Sequence, residues 1–379
     1  MPDTGDVLTR PEKLLAGCAA LVLGAGLLSV SYVAEPPAAA PRQLTAASRP
    51  LVLTSPPTTS PARTAAAPLI RRASAPAAVG PAKPQAGCPV PRRRSAKPYV
   101  PKPMPAPKVA DADLPAPLPP RRKASSLAAV SGKGIWVTNW RDTEVDVPAL
   151  VARAKKAGLH SIWVRSGGSK QGYYGGTILP RLVPAAHAAG LNVIAWDFPA
   201  LSDPVADAQR ARAALATGID AFAPDVETNF EGTYATDRRV RLYLSLVRSY
   251  AGDRVIAATV PRPTPKRRAS FPYAAFAPYA DVFAPMIYWS CNEPGLLVRQ
   301  SLTELGRILP VHPVGQGYDM GSEGGRRGLP TARETLRFLD YSRRGGAVGA
   351  SLWTIEKVGT TQWTALSGYR WPGRADSRR

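Results

Sequence analysis

From residue 134 onward, short runs of apolar, β-branched and aromatic residues alternate with longer segments whose apolar positions recur every three or four residues. The short runs are GIWVTNW (134–140), SIWVRSG (161–167), NVIAWDF (192–198), AFAPDVE (221–227), RVIAATV (254–260), VFAPMIYW (282–289), VHPVGQG (311–317) and GASLWTIE (349–356). Their length and composition predict eight buried strands. The intervening segments, among them VPALVARAKKAG, DAQRARAALATG, DRRVRLYLSLVRSYAG and TARETLRFLDYSRRGG, carry the helical period. Gly158, Gly190, Gly218 and Gly252 stand where helices would stop before the next strand.

Strands this apolar, alternating with helices, imply parallel strands covered on the outside. A doubly wound open sheet is the competing arrangement. Eight strand-helix units match a (β/α)8 TIM barrel, whose usual size is ~250 residues. The expected fold class is therefore α/β, with a barrel over residues 133–379.

The rest of the chain has a different composition. Residues 36–132 hold 22 of the 41 prolines and 15 Lys or Arg, against only Asp111 and Asp113. Such a stretch buries too little apolar surface to offset its ordering entropy, and it is expected to be a disordered, partly polyproline-II basic spacer. Residues 14–34, LLAGCAALVLGAGLLSVSYVA, are uncharged and follow Arg10 and Lys13. About 20 such residues suffice to span a bilayer, so 1–35 is expected to be a signal-anchor that leaves the N-terminus inside. A cleaved signal peptide is the alternative, because Ser29 and Ser31 offer small residues at the required spacing. Either places the large domain at the outer face of the cell membrane or in the secreted fraction. Cys18 opens the apolar stretch instead of following it, which argues against lipidation. Cys88 and Cys291 could pair in an oxidising compartment or stay free.

The net charge of +22 raises nucleic acid as a partner. The clusters Arg92-Arg93-Arg94 and Arg121-Arg122-Lys123, however, lie in the spacer without interleaved aromatics or a recognisable binding module. Lipid head groups or an anionic wall polymer are the better expectation for this spacer, and plain solubilisation is the blandest.

The barrel assignment sorts candidate chemistry, because active sites of this fold lie where the strands end. The chain places there Asn139, Trp140, Arg165, Trp196, Asp197, Asp225, Glu227, Arg262, Tyr288, Trp289, Gln316, Tyr318, Trp353 and Glu356. Residues two apart on a strand share a face, so Asp225 and Glu227 should point together to the barrel mouth while Val226 points to the helices. Neighbouring carboxylates repel, which raises at least one pKa and keeps a proton available near neutral pH. Glycosidic cleavage needs such a proton donor beside an anionic partner. Trp140, Trp196, Trp289 and Trp353, with Trp136, Tyr173 and Tyr174, supply aromatic faces, of which about half are expected to pack in the core instead. Arg165, Asp197, Gln316 and Tyr318 are the polar candidates for holding substrate. The competing structural role for the carboxylates is loop capping or pairing with Arg165 and Arg262.

His160 and His312 open their strands and His187 lies in a helix, which argues against a Ser-His-Asp triad or a His-rich metal site. HExxH, CxxC, Walker and GxGxxG patterns do not occur, and neither metal nor cofactor is expected. The loop GYDMGSEGGRRG (317–328) carries Arg326 and Arg327 where barrels often hold phosphate. It reads more simply as a surface loop.

DAFAPDVE resembles the D-x-x-D-x-D-x-E signature of family 18 (chitinase-like) glycoside hydrolases. It matches at Asp220, Asp225 and Glu227 and carries Ala223 at the middle Asp. MIYW is similar to that family's Met-x-Tyr, at Met286 and Tyr288, and Trp353 is similar to its floor tryptophan. The resemblance implies substrate-assisted retaining hydrolysis, with Glu227 as acid/base, Asp225 orienting an acetamido group and Tyr288 holding the oxazolinium. PDVE also resembles, more weakly, the D-x-E of family 25 (lysozyme-like) hydrolases, although GIWVTNW lacks that family's strand-one Asp.

These readings converge on an exported or membrane-tethered glycoside hydrolase. Its substrate would be a cell-wall or extracellular polysaccharide, one containing N-acetylhexosamine where the resemblance holds. A non-catalytic glycan-binding barrel and a wall-associated structural protein are the alternatives.

Overall fold

The computed structural model describes Cys88, residues 104–141 and residues 145–371. The apolar segment 14–34 and most of the expected spacer lie outside the described residues. Each of the eight apolar runs contains a strand: β1 (Gly132–Val137), β2 (Ser161–Gly168), β4 (Asn192–Phe198), β5 (Ala221–Pro224), β6 (Val255–Pro261), β7 (Val282–Ile287), β8 (Val314–Gln316) and β9 (Gly349–Trp353). The two-residue β3 (Gly172–Tyr173) folds back antiparallel on β2. The order β1-β9-β8-β7-β6-β5-β4-β2 closes on itself through β1 and β2, and every barrel pairing is parallel. The fold is an α/β TIM barrel.

Among the described residues, seven helices lie between successive barrel strands and an eighth follows β9: α1 (Val147–Lys156), α2 (Leu179–Ala188), α3 (Pro204–Leu215), α4 (Asp237–Ala251), the short α5 (Pro265–Ser270), α6 (Pro294–Leu305), α7 (Ala332–Arg344) and α8 (Thr360–Gly368). Their starts are set locally. Asp146 accepts from the Ala149 amide at 3.0 Å, Glu293 from that of Leu296 at 2.7 Å, and Thr331 with Glu334 forms a reciprocal capping box. Gly158 and Gly218, just beyond α1 and α3, take φ of +61° and +84°, a region that disfavours any residue with a Cβ.

The two faces of the strands build two apolar layers. Ile135, Ile162, Val164, Val193, Phe222, Ile256 and Phe283 face the helices, while Trp136, Trp163, Trp196, Ala221, Ala223, Ala257, Ala284 and Val314 fill the interior. The interior is unevenly shared. Tryptophans from β1, β2, β4 and β9 stack against one another, with Trp136 lying 4.7 Å from Trp163, 5.5 Å from Trp196 and 5.4 Å from Trp353 between ring centroids. Strands β5, β6 and β7 supply alanines, so large and small side chains complement one another across the barrel. Within this stack, the Trp136 indole N–H donates to Ser351, that of Trp163 to Ser161 and that of Trp196 to the Val137 carbonyl.

The expected spacer boundary at 132 needs correction, because residues 104–131 pack on the barrel. Asp111 pairs with the buried Arg239 of α4 at 2.6 Å, and the Ala124 amide donates to Asp281, which also binds Arg248. Val130, fully buried, plugs the barrel at the N-terminal ends of the strands, and its carbonyl accepts from His312 Nδ1 at 2.7 Å. Anchors so widely spaced along the chain are invisible to a composition argument. Cys88 and Cys291 form a disulfide, with Cα atoms 5.8 Å apart. Among the described residues no helix is long and apolar enough to cross a membrane.

Candidate active site

The strand alternation that turns Ala221 and Ala223 inward continues past the end of β5. Asp225 forms an isolated parallel bridge with Thr259 of β6, and its amide donates to the Asp197 carbonyl at 2.8 Å. The Val226 amide donates to the Thr259 carbonyl at 3.0 Å, and the Val226 side chain joins the outer apolar layer. This segment is thus held by backbone bonds from both neighbouring strands. Asp225 and Glu227 emerge into a pocket of about 450 Å³ lined also by Glu231, Pro261, Arg262, Arg267, Met286, Tyr288, Tyr318, Met320, Glu323 and Trp353.

Neither carboxylate makes an ion pair with a described residue, and Asp225 Oδ1 is buried without a hydrogen-bond partner. Burial raises the Asp225 pKa, the Arg165 guanidinium opposes the rise, and Asp197 and Glu231 add to it. Burial also raises that of Glu227, reinforced by the charge of Asp225 and then of Glu231. Both effects favour a neutral carboxylic acid facing the pocket near pH 7. The two sites titrate as a pair, sharing protons between them.

Tyr288, immediately after β7, meets Tyr318 edge to face at 5.5 Å. Burial keeps its phenol protonated, the pKa lying well above the usual value. Tyr318 donates to Glu323 at 2.9 Å. Trp353, partly exposed at the end of β9, rests on Trp136 and Trp196 and presents an aromatic surface to the pocket. The Trp353–Thr354 peptide is cis.

The other sequence candidates lie elsewhere. Trp140 is buried in the outer layer, donating to the Arg165 carbonyl at 2.6 Å and packing on Tyr174. Trp289 is fully buried against Phe338 of α7, because it faces the helices when Tyr288 faces the pocket. Trp196 sits beneath the pocket as part of the indole stack. Asp197 is turned toward α3, where Arg210 binds both its oxygens at 2.8 and 3.0 Å. Gln316 is buried and used internally, accepting from the Ser290 amide and donating to the Tyr318 carbonyl. These five do not line the pocket. Arg165 lies over Trp196 at 5.0 Å and acts on Asp225 through its charge, without an ion pair. Glu356 accepts from the Thr138 and Asn139 amides and braces β1 to the segment after β9.

Sequence reading did not single out Glu231, Arg267, Met320 or Glu323. They come from loops and the short α5, where no periodicity marks which side chain turns inward. The glycine-rich loop 317–328 gives Met320 and Glu323 to the pocket, while its Arg326 pairs with Glu334 of α7.

No protein-family model matches the sequence, and a search among curated proteins finds no match. Among solved structures, the chain is similar to the spore cortex-lytic enzyme SleL of Bacillus cereus, with 12% identity, 63% of this chain and 75% of that one covered, and a TM-score of 0.48. It is likewise similar to a chitinase from Chromobacterium violaceum, with 11% identity, 63% and 100% covered, and a TM-score of 0.48. A class V chitinase from Pseudomonas fluorescens gives 12% identity, the same two coverages and a TM-score of 0.48.

Proposed function

We propose that the barrel is a glycoside hydrolase acting on a cell-wall or extracellular polysaccharide. The observation that carries this reading is a pair of carboxylates without ion-pair partners, both raised by burial, opening into a pocket walled by tyrosines and a tryptophan. Glu227, protonated, donates to the glycosidic oxygen as its bond to the anomeric carbon breaks. It then takes a proton from the water that completes hydrolysis. Where the sugar carries an acetamido group, that group's carbonyl oxygen attacks the anomeric carbon. Asp225, as the ionised partner, holds its N–H, and the Tyr288 hydroxyl donates to the developing ring. Trp353 provides a stacking surface for the sugar ring.

An exported location fits this substrate. The uncharged stretch at 14–34 and the Cys88–Cys291 disulfide, a bond that persists in oxidising compartments, support it. The basic composition of the spacer suits contact with an anionic wall polymer or lipid head groups.

The test is reducing-end release by the full chain and its Glu227→Gln variant on peptidoglycan, chitin oligomers and plain glucans. Activity on one polymer, lost in the variant, is the expected result. No release from any glycan by the unmodified chain would sink the hydrolase reading.

Ala223 and the unpartnered Asp225 Oδ1 favour a second reading, a barrel that binds glycan without cutting it. It expects saturable sugar binding that Glu227→Gln leaves unchanged, together with silence in the release assay.

A further inference from the structure

We infer that the substrate carries an anionic group, carboxylate or phosphate, and that Arg262 and Arg267 bind it on the pocket wall formed by β6 and α5. The inference rests on the same pocket being a glycan site and names the class of glycan it takes.

Several arginines of this barrel differ from the two in the pocket. Those under the helix layer and loops are matched to acids: Arg210 to Asp197 and Asp207, Arg239 to Asp111, Arg248 to Asp281 and Arg326 to Glu334. Neither of the two in the pocket hydrogen-bonds an acid. Arg262 is half-buried, and its side chain makes no hydrogen bond or ion pair with a described residue. Arg267 makes one long ion pair, to Glu231 Oε1 at 3.9 Å, beyond hydrogen-bond reach, while Thr228 donates to the other oxygen of Glu231.

Two guanidiniums on one wall repel, and a half-buried one without an acceptor has lost part of its hydration. Burial, followed by the charge of Arg267, depresses the Arg262 pKa. An oxyanion between them removes both costs, and the planar fork of arginine matches carboxylate and phosphate oxygens two at a time. The remaining acids do not cancel this wall. Glu323 accepts from Tyr318, Glu227 is shifted toward its neutral form, and Asp225 faces Arg165.

The experiment is calorimetric titration of the full-chain Glu227→Gln protein with short oligosaccharides in three forms. One set carries carboxylates, one is the same set with carboxyls reduced to alcohols, and one carries phosphate. At least about tenfold tighter binding of one anionic set than of the reduced set is expected, the difference a charged hydrogen bond makes. Which set shows it identifies the oxyanion. Adding Arg262→Gln should bring charged and neutral affinities together, while Arg262→Lys keeps part of the preference. Arg267→Gln repeats the test if the first variant does not fold.

Equal affinity for charged and reduced oligomers overturns the inference. A preference that survives both arginine variants also overturns it, since that preference would belong to the basic spacer. Anion preference without hydrolysis by the unmodified chain would leave this inference standing and remove the hydrolase. Hydrolysis of a neutral glycan with no anion preference would do the reverse.

Discussion

Trp196 on β4 stands in direct register with Ala223 on β5, an indole beside a methyl group in the interior below the carboxylate pair. Both are almost fully buried, and the space that a longer side chain at 223 would need adjoins the indole stack. Ala223→Asp, which completes the family 18 signature, should therefore destabilise the barrel by about 2 kcal/mol, the cost of a buried polar group in apolar surroundings. A urea titration would show a lower midpoint at unchanged slope. An unchanged midpoint would mean that the new carboxyl reaches Asp225 Oδ1, the buried oxygen that now lacks a partner.

Glu227→Gln should reduce turnover by about 10²–10⁴-fold, the usual range for a lost general acid. It should also change how stability depends on pH. A carboxyl whose folded pKa is raised contributes stability that is complete below its unfolded pKa and is lost as pH rises through the folded value. Burial sets that value for Glu227 at about 9. Between roughly pH 4.3, the ordinary glutamate value, and pH 9, the unmodified protein should lose stability relative to the variant. Paired urea titrations at pH 5, 7 and 9 would reveal a constant gap if Glu227 titrated normally.

The activity profile should be a bell displaced toward alkaline pH. Its acid limb reflects ionisation of the pair as Asp225, raised to about 7 by burial, loses its proton. Its alkaline limb reflects loss of the Glu227 proton near 9. Both limbs are properties of the pair. A kcat/KM profile that peaks near pH 5 would show that solvent in the free enzyme relieves the burial responsible for these shifts.

The eight strands and the emergence of Asp225, Glu227, Tyr288 and Trp353 at one barrel mouth were legible because each depends on local pattern: apolar runs, strand alternation and distance from a strand end. Trp289 was misplaced by one residue of phase. Tyr288 takes the pocket face, so its neighbour must face α7 and Phe338. Asp197 was misread for a different reason, since its partner Arg210 lies on a helix whose facing side chains are set by packing. Residues 104–131 looked like spacer because proline and basic content dominate their composition. Their anchors, Asp111 on Arg239 and Val130 in the barrel end, are long-range contacts that no sequence window contains.

Trp353→Ala should raise KM for a polymeric substrate and lower stability by about 3 kcal/mol, the lower end for a tryptophan because the ring is partly exposed to the pocket. Trp353→Phe keeps a ring against Trp136 and Trp196 and should recover most of the stability and only part of the KM effect. Steady-state kinetics beside thermal melts separate the two contributions. Full recovery of KM with Phe would make the ring a packing element and remove it from the sugar site.

His312 lies under Trp163 at 4.8 Å between ring centroids, donates Nδ1–H to Val130, and leaves Nε2 buried without a partner. Burial lowers its pKa to about 4. A histidine depressed in the folded state contributes stability that is present above its unfolded value, about 6.5, and is lost as pH falls through the folded one. Protonation would place an uncompensated charge between the indole stack and the N-terminal plug. Full expression of this effect is worth about 3 kcal/mol between pH 7 and pH 4. Asp225 and Glu227, whose folded values are raised, drive stability the opposite way on acidification, so the comparison must be made against a variant. His312→Gln retains a donor for the Val130 carbonyl and does not titrate, so its stability should fall less from pH 7 to pH 4 than that of the unmodified protein. Equal falls in the two proteins would show that the plug moves aside and lets water reach the imidazole.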